Sequence, residues 1–186
     1  MGYQDIIEEL KQTAGKFFAT KKGLFEETLN VIIDSLRAGH KVLVFGNGGS
    51  AAQAQHFAAE LVNKFLEVRP AFRAISLTTD TSNLTSIAND TSFDYVFSRQ
   101  IEALGEEGDV ALALSTSGNS SNVIEAVKAA KKMKITTVAF TGKGGGELAS
   151  FADYLLDVPS ESTPRVQEVH LLLLHLLAQE IEKRTG

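Results

Sequence analysis

Lys41 to Leu61 reads KVLVFGNGGSAAQAQHFAAEL, and this stretch decides the fold. Val42, Leu43, Val44 and Phe45 form a short β-rich apolar run of the kind buried on both faces of a parallel sheet. The run ends at Gly46. Asn47, Gly48, Gly49 and Ser50 follow, residues that tolerate unusual backbone angles and include a good helix N-cap, so several amide N–H groups can converge at a helix start. That is a site for an anion or another polar ligand. In the helix beyond, His56 and Glu60 stand four residues apart and share one face.

Working outward, the strand, polar turn, helix pattern repeats. Val110 to Ser115 (VALALS) runs into Ser115-Thr116-Ser117-Gly118-Asn119-Ser120 and then into the helix VIEAVKAAKKM. Further strands read at AFRAISL after Pro70, at Lys134–Thr141 and at Tyr154–Val158, with a glycine-rich turn at 142–146. Thr78–Asn83 reads as a loop or helix cap, Asn89 and Asp90 fall at a helix end, and DYVFSRQIEAL reads as an amphipathic helix stopped by Gly105 and Gly108. A long helix starts near Pro164. Residues 3–38 predict two helices separated at Lys21-Lys22-Gly23, and the apolar stripe of the first packs either on a partner subunit or on its own sheet. Strands that alternate with helices predict an α/β fold with a parallel five-stranded sheet and ligand-binding turns at the strands' carboxyl ends.

The bulk properties narrow the function. A chain of 186 residues, 44% hydrophobic and 22% charged, suits one globular domain spanning 1–186. Its net charge of −5 argues against nucleic acid or an anionic membrane as the main ligand. With no cysteine, any metal must bind through N and O ligands. MGYQDIIEELKQ lacks the apolar core of a signal peptide, and no run approaches a membrane span, so the expected location is cytoplasmic.

Two sets of residues carry chemistry. Hydroxyls and amides at the start of a helix, with no lysine among them, make a neutral cradle suited to a monoester phosphate. The plainer alternative is a connecting loop. No GxxxxGK[ST] and no GxGxxG after the first strand occurs, which removes a Walker loop and support for a nicotinamide cofactor. His56 and Glu60, joined by Gln167 and His175 from the last helix, supply two imidazoles, one carboxylate and one amide oxygen, a set suited to zinc or another divalent cation. The alternative is an ordinary exposed i,i+4 pair. His175 lies among Leu171–Leu174, Leu176 and Leu177, where a titratable ring needs a partner. Gln167 and His175 are separated by about 12 Å of helix rise, so both must lean toward a shared ion.

Taken together, GNGGSAAQAQHFAAEL (46–61), RP (69–70), AND (88–90), FSRQIEALGEEGDV (97–110), STSGNS (115–120), TGKGGGELA (141–149) and RVQEVH (165–170) resemble the phosphosugar isomerase (SIS) family, and most closely its phosphoheptose isomerases. The resemblance covers nearly the whole chain. It implies a three-layer sandwich of helices around a five-stranded parallel sheet, a homotetramer in which 1–38 takes part in assembly, and zinc held by His56, Glu60, Gln167 and His175. It implies the conversion of sedoheptulose 7-phosphate to D-glycero-D-manno-heptose 7-phosphate, the start of heptose supply for bacterial surface polysaccharides. Asn47, Gly48, Gly49, Asn89 and Asp90 would contact the sugar, with Ser50, Glu60 and Gln167 adding contacts, and Ser115, Thr116, Ser117 and Ser120 would hold the phosphate. Proton transfer through a cis-enediol fits, with Glu60 as base and His175 as acid. A carboxylate that is also a metal ligand has two competing roles. Related enzymes can carry a carboxylate where this chain has Pro164, so no such group acts from that position here. Two alternatives stand beside this reading: a non-catalytic relative that binds the replication initiator, which would lack Glu60 and His175, and an isomerase of another phosphosugar.

Overall fold

The computed structural model describes residues 2–185. Five strands, β1 (Val42–Gly46), β2 (Ala74–Ser76), β3 (Val110–Ser115), β4 (Thr136–Thr141) and β5 (Tyr154–Asp157), form one all-parallel sheet in the order β2-β1-β3-β4-β5. Six helices flank it: α1 (Tyr3–Arg37), α2 (Gly49–Val62), α3 (Thr81–Asp90), α4 (Ser98–Leu104), α5 (Ser121–Lys132) and α6 (Thr163–Thr185). This is the expected three-layer α/β sandwich.

Strand periodicity divides the core in two. Val42 and Val44, Val110, Leu112 and Leu114, Val138 and Phe140 face α1, α2 and α6, where Phe17, Phe57 and Leu173 are fully buried. Leu43 and Phe45, Ala111 and Ala113, and Ala139 face α4 and α5. The direction of winding changes between β1 and β3, which are paired from Val42↔Val110 to Gly46↔Leu114. Their carboxyl ends therefore flank the crevice in which open α/β sheets bind ligands.

Several boundaries differ from expectation. Residues 3–37 form one continuous helix rather than two. A glycine in a helix costs only about 1 kcal/mol, and Phe17 before Gly23 and Phe25, Leu29 and Ile32 after it bury against the same core. The stretch AFRAISL contributes three strand residues, as befits an edge strand. DYVFSRQIEAL splits into a 3-10 turn at Phe93–Tyr95 and the helix α4, because the Ser92 hydroxyl accepts the Asp94 N–H and tightens the chain there. The last helix begins at Thr163, one residue before Pro164, still in the first turn where a missing N–H loses no intrahelical bond. Among the described residues no helix is long and apolar enough to cross a membrane.

Candidate active site

At the carboxyl end of β1 the neighbouring strand β3 approaches so closely that a Cβ on Gly46 would lie 2.6 Å from the Leu114 carbonyl oxygen. Gly48, at φ +55°, is the N-cap of α2, and Ser50 sits buried inside the first turn rather than capping it. Gly49 leaves room for a side chain from α6: a Cβ there would stand 2.8 Å from Gln167 Nε2. At the matching end of β3, Gly118 (φ +67°) donates its N–H to Ser115 Oγ at 3.2 Å. Ser120 caps α5 without using its hydroxyl, which faces Ser115 Oγ at 3.3 Å. The exposed Ser117 spends its oxygen only on the Asn119 N–H. Asn47, Ser50, Leu114, Ser115, Thr116, Ser120 and Gln167 line a small cavity of about 70 Å³ between the two corners. The corners are tied together by reciprocal amide hydrogen bonds between Asn47 and Asn122, 2.8 and 2.9 Å long. Hydroxyls thus converge beside the starts of two helices with no lysine or arginine among them, an arrangement suited to a phosphate monoester.

Helices α2 and α6 run side by side in the same direction. Gln167 lies over Gly49, its backbone carbonyl accepts from Gln53 Nε2 at 2.7 Å, and about two turns further along α6 His175 meets His56 and Glu60. His56 Nε2 is 2.8 Å from Glu60 Oε1 and 3.0 Å from His175 Nε2, and His175 Nε2 is 3.5 Å from Glu60 Oε1. The other carboxylate oxygen, Oε2, is buried with no hydrogen-bond partner. Burial raises the Glu60 carboxyl above the usual carboxylate range, although both histidines work against that shift. The ring of Phe65 stacks on His175 at 5.5 Å. An opening of about 370 Å³ lined by Ala52, Gln53, His56, Leu171 and His175 leads to the cluster. Two imidazole nitrogens and a carboxylate oxygen aimed at one point, with a second carboxylate oxygen orphaned, are a possible metal site. The Gln167 amide, placed by sequence in the same ligand set, lines the cavity beside Gly49.

Residues 5–142 match the family model described as the SIS domain. The chain is 53% identical over 163 residues to the phosphoheptose isomerase of Desulfovibrio desulfuricans, covering 88% of this chain and 78% of that one. The phosphoheptose isomerase of Thermodesulfovibrio yellowstonii is 47% identical over 94% and 87% of the respective chains. The chain belongs to the SIS-domain family, in its phosphoheptose isomerase branch. Solved SIS structures agree: phosphoheptose isomerase from Neisseria gonorrhoeae superposes with a TM-score of 0.91 at 42% identity, covering 97% of this chain and 96% of that one. The enzyme from Francisella tularensis gives 0.93 at 35% identity over 98% and 100%.

Within this SIS fold the expected site residues fall into three places. Asn47, Gly48, Gly49, Ser50, Ser115, Thr116, Ser117, Ser120 and Gln167 gather at the two corners, and His56, Glu60 and His175 gather between α2 and α6. Asn89 and Asp90 lie apart, in an open groove on the exposed side of α3 with Ser82, Thr85 and Ser86, where Asn89 Nδ2 donates to Asp90 Oδ1. Asn122, Gln53 and Phe65 were not legible as site residues. Each reads as an ordinary helix or loop residue, because its partner lies 75, 114 or more than 100 positions away.

Proposed function

We propose that this chain is an aldose–ketose isomerase that converts sedoheptulose 7-phosphate to D-glycero-D-manno-heptose 7-phosphate, the first step of heptose supply for bacterial surface polysaccharide. The observation that carries the reading is the convergence of His56, Glu60 and His175 within 4.8 Å of one another, beside a hydroxyl-lined cradle without a lysine. The phosphate is held by Ser115, Thr116, Ser117 and Ser120, and the sugar by Asn47, Gly48, Gly49, Ser50, Glu60 and Gln167. Asn89 and Asp90 join from α3 or from a neighbouring copy.

Glu60 takes the proton from the carbon next to the carbonyl, and its raised pKa makes it a stronger base than an exposed carboxylate. His175, 3.5 Å from Glu60, manages the proton on the substrate oxygens. The enediol so formed is reprotonated on the neighbouring carbon by the same carboxyl. Fixing the phosphate end brings the reacting carbons to these groups repeatedly in one pose. His56, Glu60 and His175, with Gln167 leaning in, would hold zinc or another divalent cation, which when bound supplies Lewis-acid polarisation of the carbonyl oxygen.

A homotetramer goes with this reading, supported by the apolar residues that α1 leaves exposed at Tyr3 and Ile7. So does a cytoplasmic location, and a small acidic-protein surface that takes neither nucleic acid nor membrane. The presence of Glu60 and His175 in one cluster favours catalysis over binding of the replication initiator. The test is turnover of sedoheptulose 7-phosphate by the purified protein as isolated, after chelation and after zinc is restored. Loss and recovery establish isomerase and metal together. Turnover that ignores chelation keeps the isomerase and removes the metal, and no turnover in any state sinks the reading.

A further inference from the structure

We propose that the buried ion pair of Arg69 and Glu182 is the positioning device for Glu60 and His175, an inference that rests on the isomerase reading above. Glu182 lies on α6 two turns beyond His175, in the last turn of the helix, where the macrodipole disfavours a negative charge. Its side chain is 3% exposed. The carboxylate is compensated by three successive backbone N–H groups, those of Phe65 (2.6 Å), Leu66 (2.8 Å) and Glu67 (3.1 Å), and by Arg69 Nε at 3.3 Å. Burial opposes ionisation of Glu182, and these donors outweigh it, holding its pKa below the usual carboxylate range.

Both arms of this pair end at the acid/base groups. The remaining guanidinium nitrogens of Arg69 donate to the carbonyls of Glu60 (2.6 Å) and Leu61 (2.8 Å), in the last turn of α2, where carbonyls have no intrahelical partner. Phe72 covers the guanidinium at 4.3 Å. Arg69 therefore caps α2 at the very residue that bears the base. On the other arm, the Phe65 amide that Glu182 accepts fixes the backbone from which the Phe65 ring stacks on His175, 25° from parallel. One ion pair thus locks the backbone of Glu60 and the ring of His175. Among the described residues no hydrogen bond or ion pair of Arg69 or Glu182 reaches the cradle at the carboxyl ends of β1 and β3, so the pair acts on the acid/base end alone.

The variants that test this are Glu182→Gln, which keeps shape and removes charge, Arg69→Lys, which keeps charge and loses the planar fork, and Phe65→Leu, which spares the ion pair and removes the ring. On zinc-loaded protein, kcat for sedoheptulose 7-phosphate should fall roughly ten- to a hundredfold in all three, with KM changed by no more than about twofold. The His175 ring proton signals in NMR spectra should move as the Phe65 ring current is lost. Folded variants with parental kcat and unmoved His175 signals would overturn the proposal, as would a rate loss that only tracks the folded fraction in a thermal melt. If Glu182→Gln does not fold, Arg69→Lys, which keeps the buried charge, decides on the same two readouts, with Phe65→Leu as the reference for complete loss of the ring. If the parent chain itself fails to turn over, the isomerase reading fails separately, and movement or constancy of the His175 signals in the Arg69 and Glu182 variants still decides the positioning role.

Discussion

His56 and His175, 119 residues apart in sequence, face each other through their Nε2 atoms at 3.0 Å, ring edge to ring face. At that separation the two Nε2 atoms can offer their lone pairs to one cation. The Glu60 carboxylate completes the point of convergence. Replacing His56 with Gln should weaken zinc binding by more than the roughly 10- to 100-fold that loss of an outer-shell partner costs. Calorimetric titration of the purified variant with zinc checks this, and parental affinity would remove His56 from the ligand set.

Glu60→Gln retains size and hydrogen-bonding capacity and removes the base. Turnover should drop by about two to four orders of magnitude, while sedoheptulose 7-phosphate still binds, as measured by calorimetry on the inactive variant. A near-parental rate would assign the base elsewhere.

Ser117 is exposed and its only internal bond is with the Asn119 N–H. Ser117→Ala should therefore leave the fold intact and raise KM several-fold, the equivalent of about 1 kcal/mol for one hydrogen bond, because phosphate contacts persist from ground state to transition state. Steady-state kinetics separate this from a loss confined to kcat, which would contradict a phosphate-holding role.

Gly118→Ala should be far more damaging. The residue has φ +67°, and a Cβ would lie 2.0 Å from the Gly145 carbonyl oxygen, so backbone on both sides must move. The expected cost is about 3 kcal/mol or more, seen as a lowered melting temperature together with lost phosphate affinity.

His170 gives the fold its own pH dependence. It is fully buried, and because the Thr141 carbonyl 3.1 Å away can only accept, Nε2 carries the proton while Nδ1 has no partner. Burial lowers its pKa from 6.5 to about 4, against a smaller opposite effect of that hydrogen bond. Between these values the unfolded chain takes up a proton that the folded chain refuses. Stability is therefore full above pH 6.5 and declines as pH falls toward about 4, by about 3 kcal/mol in all. Urea unfolding of the parent and of His170→Gln, compared from pH 7 to pH 4, isolates this contribution, since the other titrating groups, Glu60 included, are common to both. A parent curve parallel to that of the variant would refute it.

What the sequence made legible were features whose cause is local. Val42–Gly46 and Val110–Ser115 read correctly because a strand buried on both faces is apolar throughout, and the turns after them because glycine and hydroxyl residues have few other uses there. The four-residue spacing of His56 and Glu60 placed them on one face, and His175, grouped with them from the last helix by its donor chemistry, lies in the same cluster. Local signals misled at Lys21-Lys22-Gly23, where a weak helix former is overruled by burial on either side. Non-local causes left no trace. Glu182 reads as one more solvated carboxylate in AQEIEK, since the three amides that neutralise it lie at least 115 residues upstream. The distance of Asn89 and Asp90 from the corners depends on where α3 docks, which no residue within it announces.

The paired amides of Asn47 and Asn122 have one more consequence. They join the end of β1, a strand that feeds both hydrophobic layers, to the first turn of α5. The two corners of the proposed phosphosugar site are accordingly latched at a fixed separation before anything enters between them. In the proposed site a ligand hydroxyl that reached Asn47 would trade places with Asn122, one set of hydrogen bonds for another. Under that reading, little of the binding energy would go into ordering these two corners.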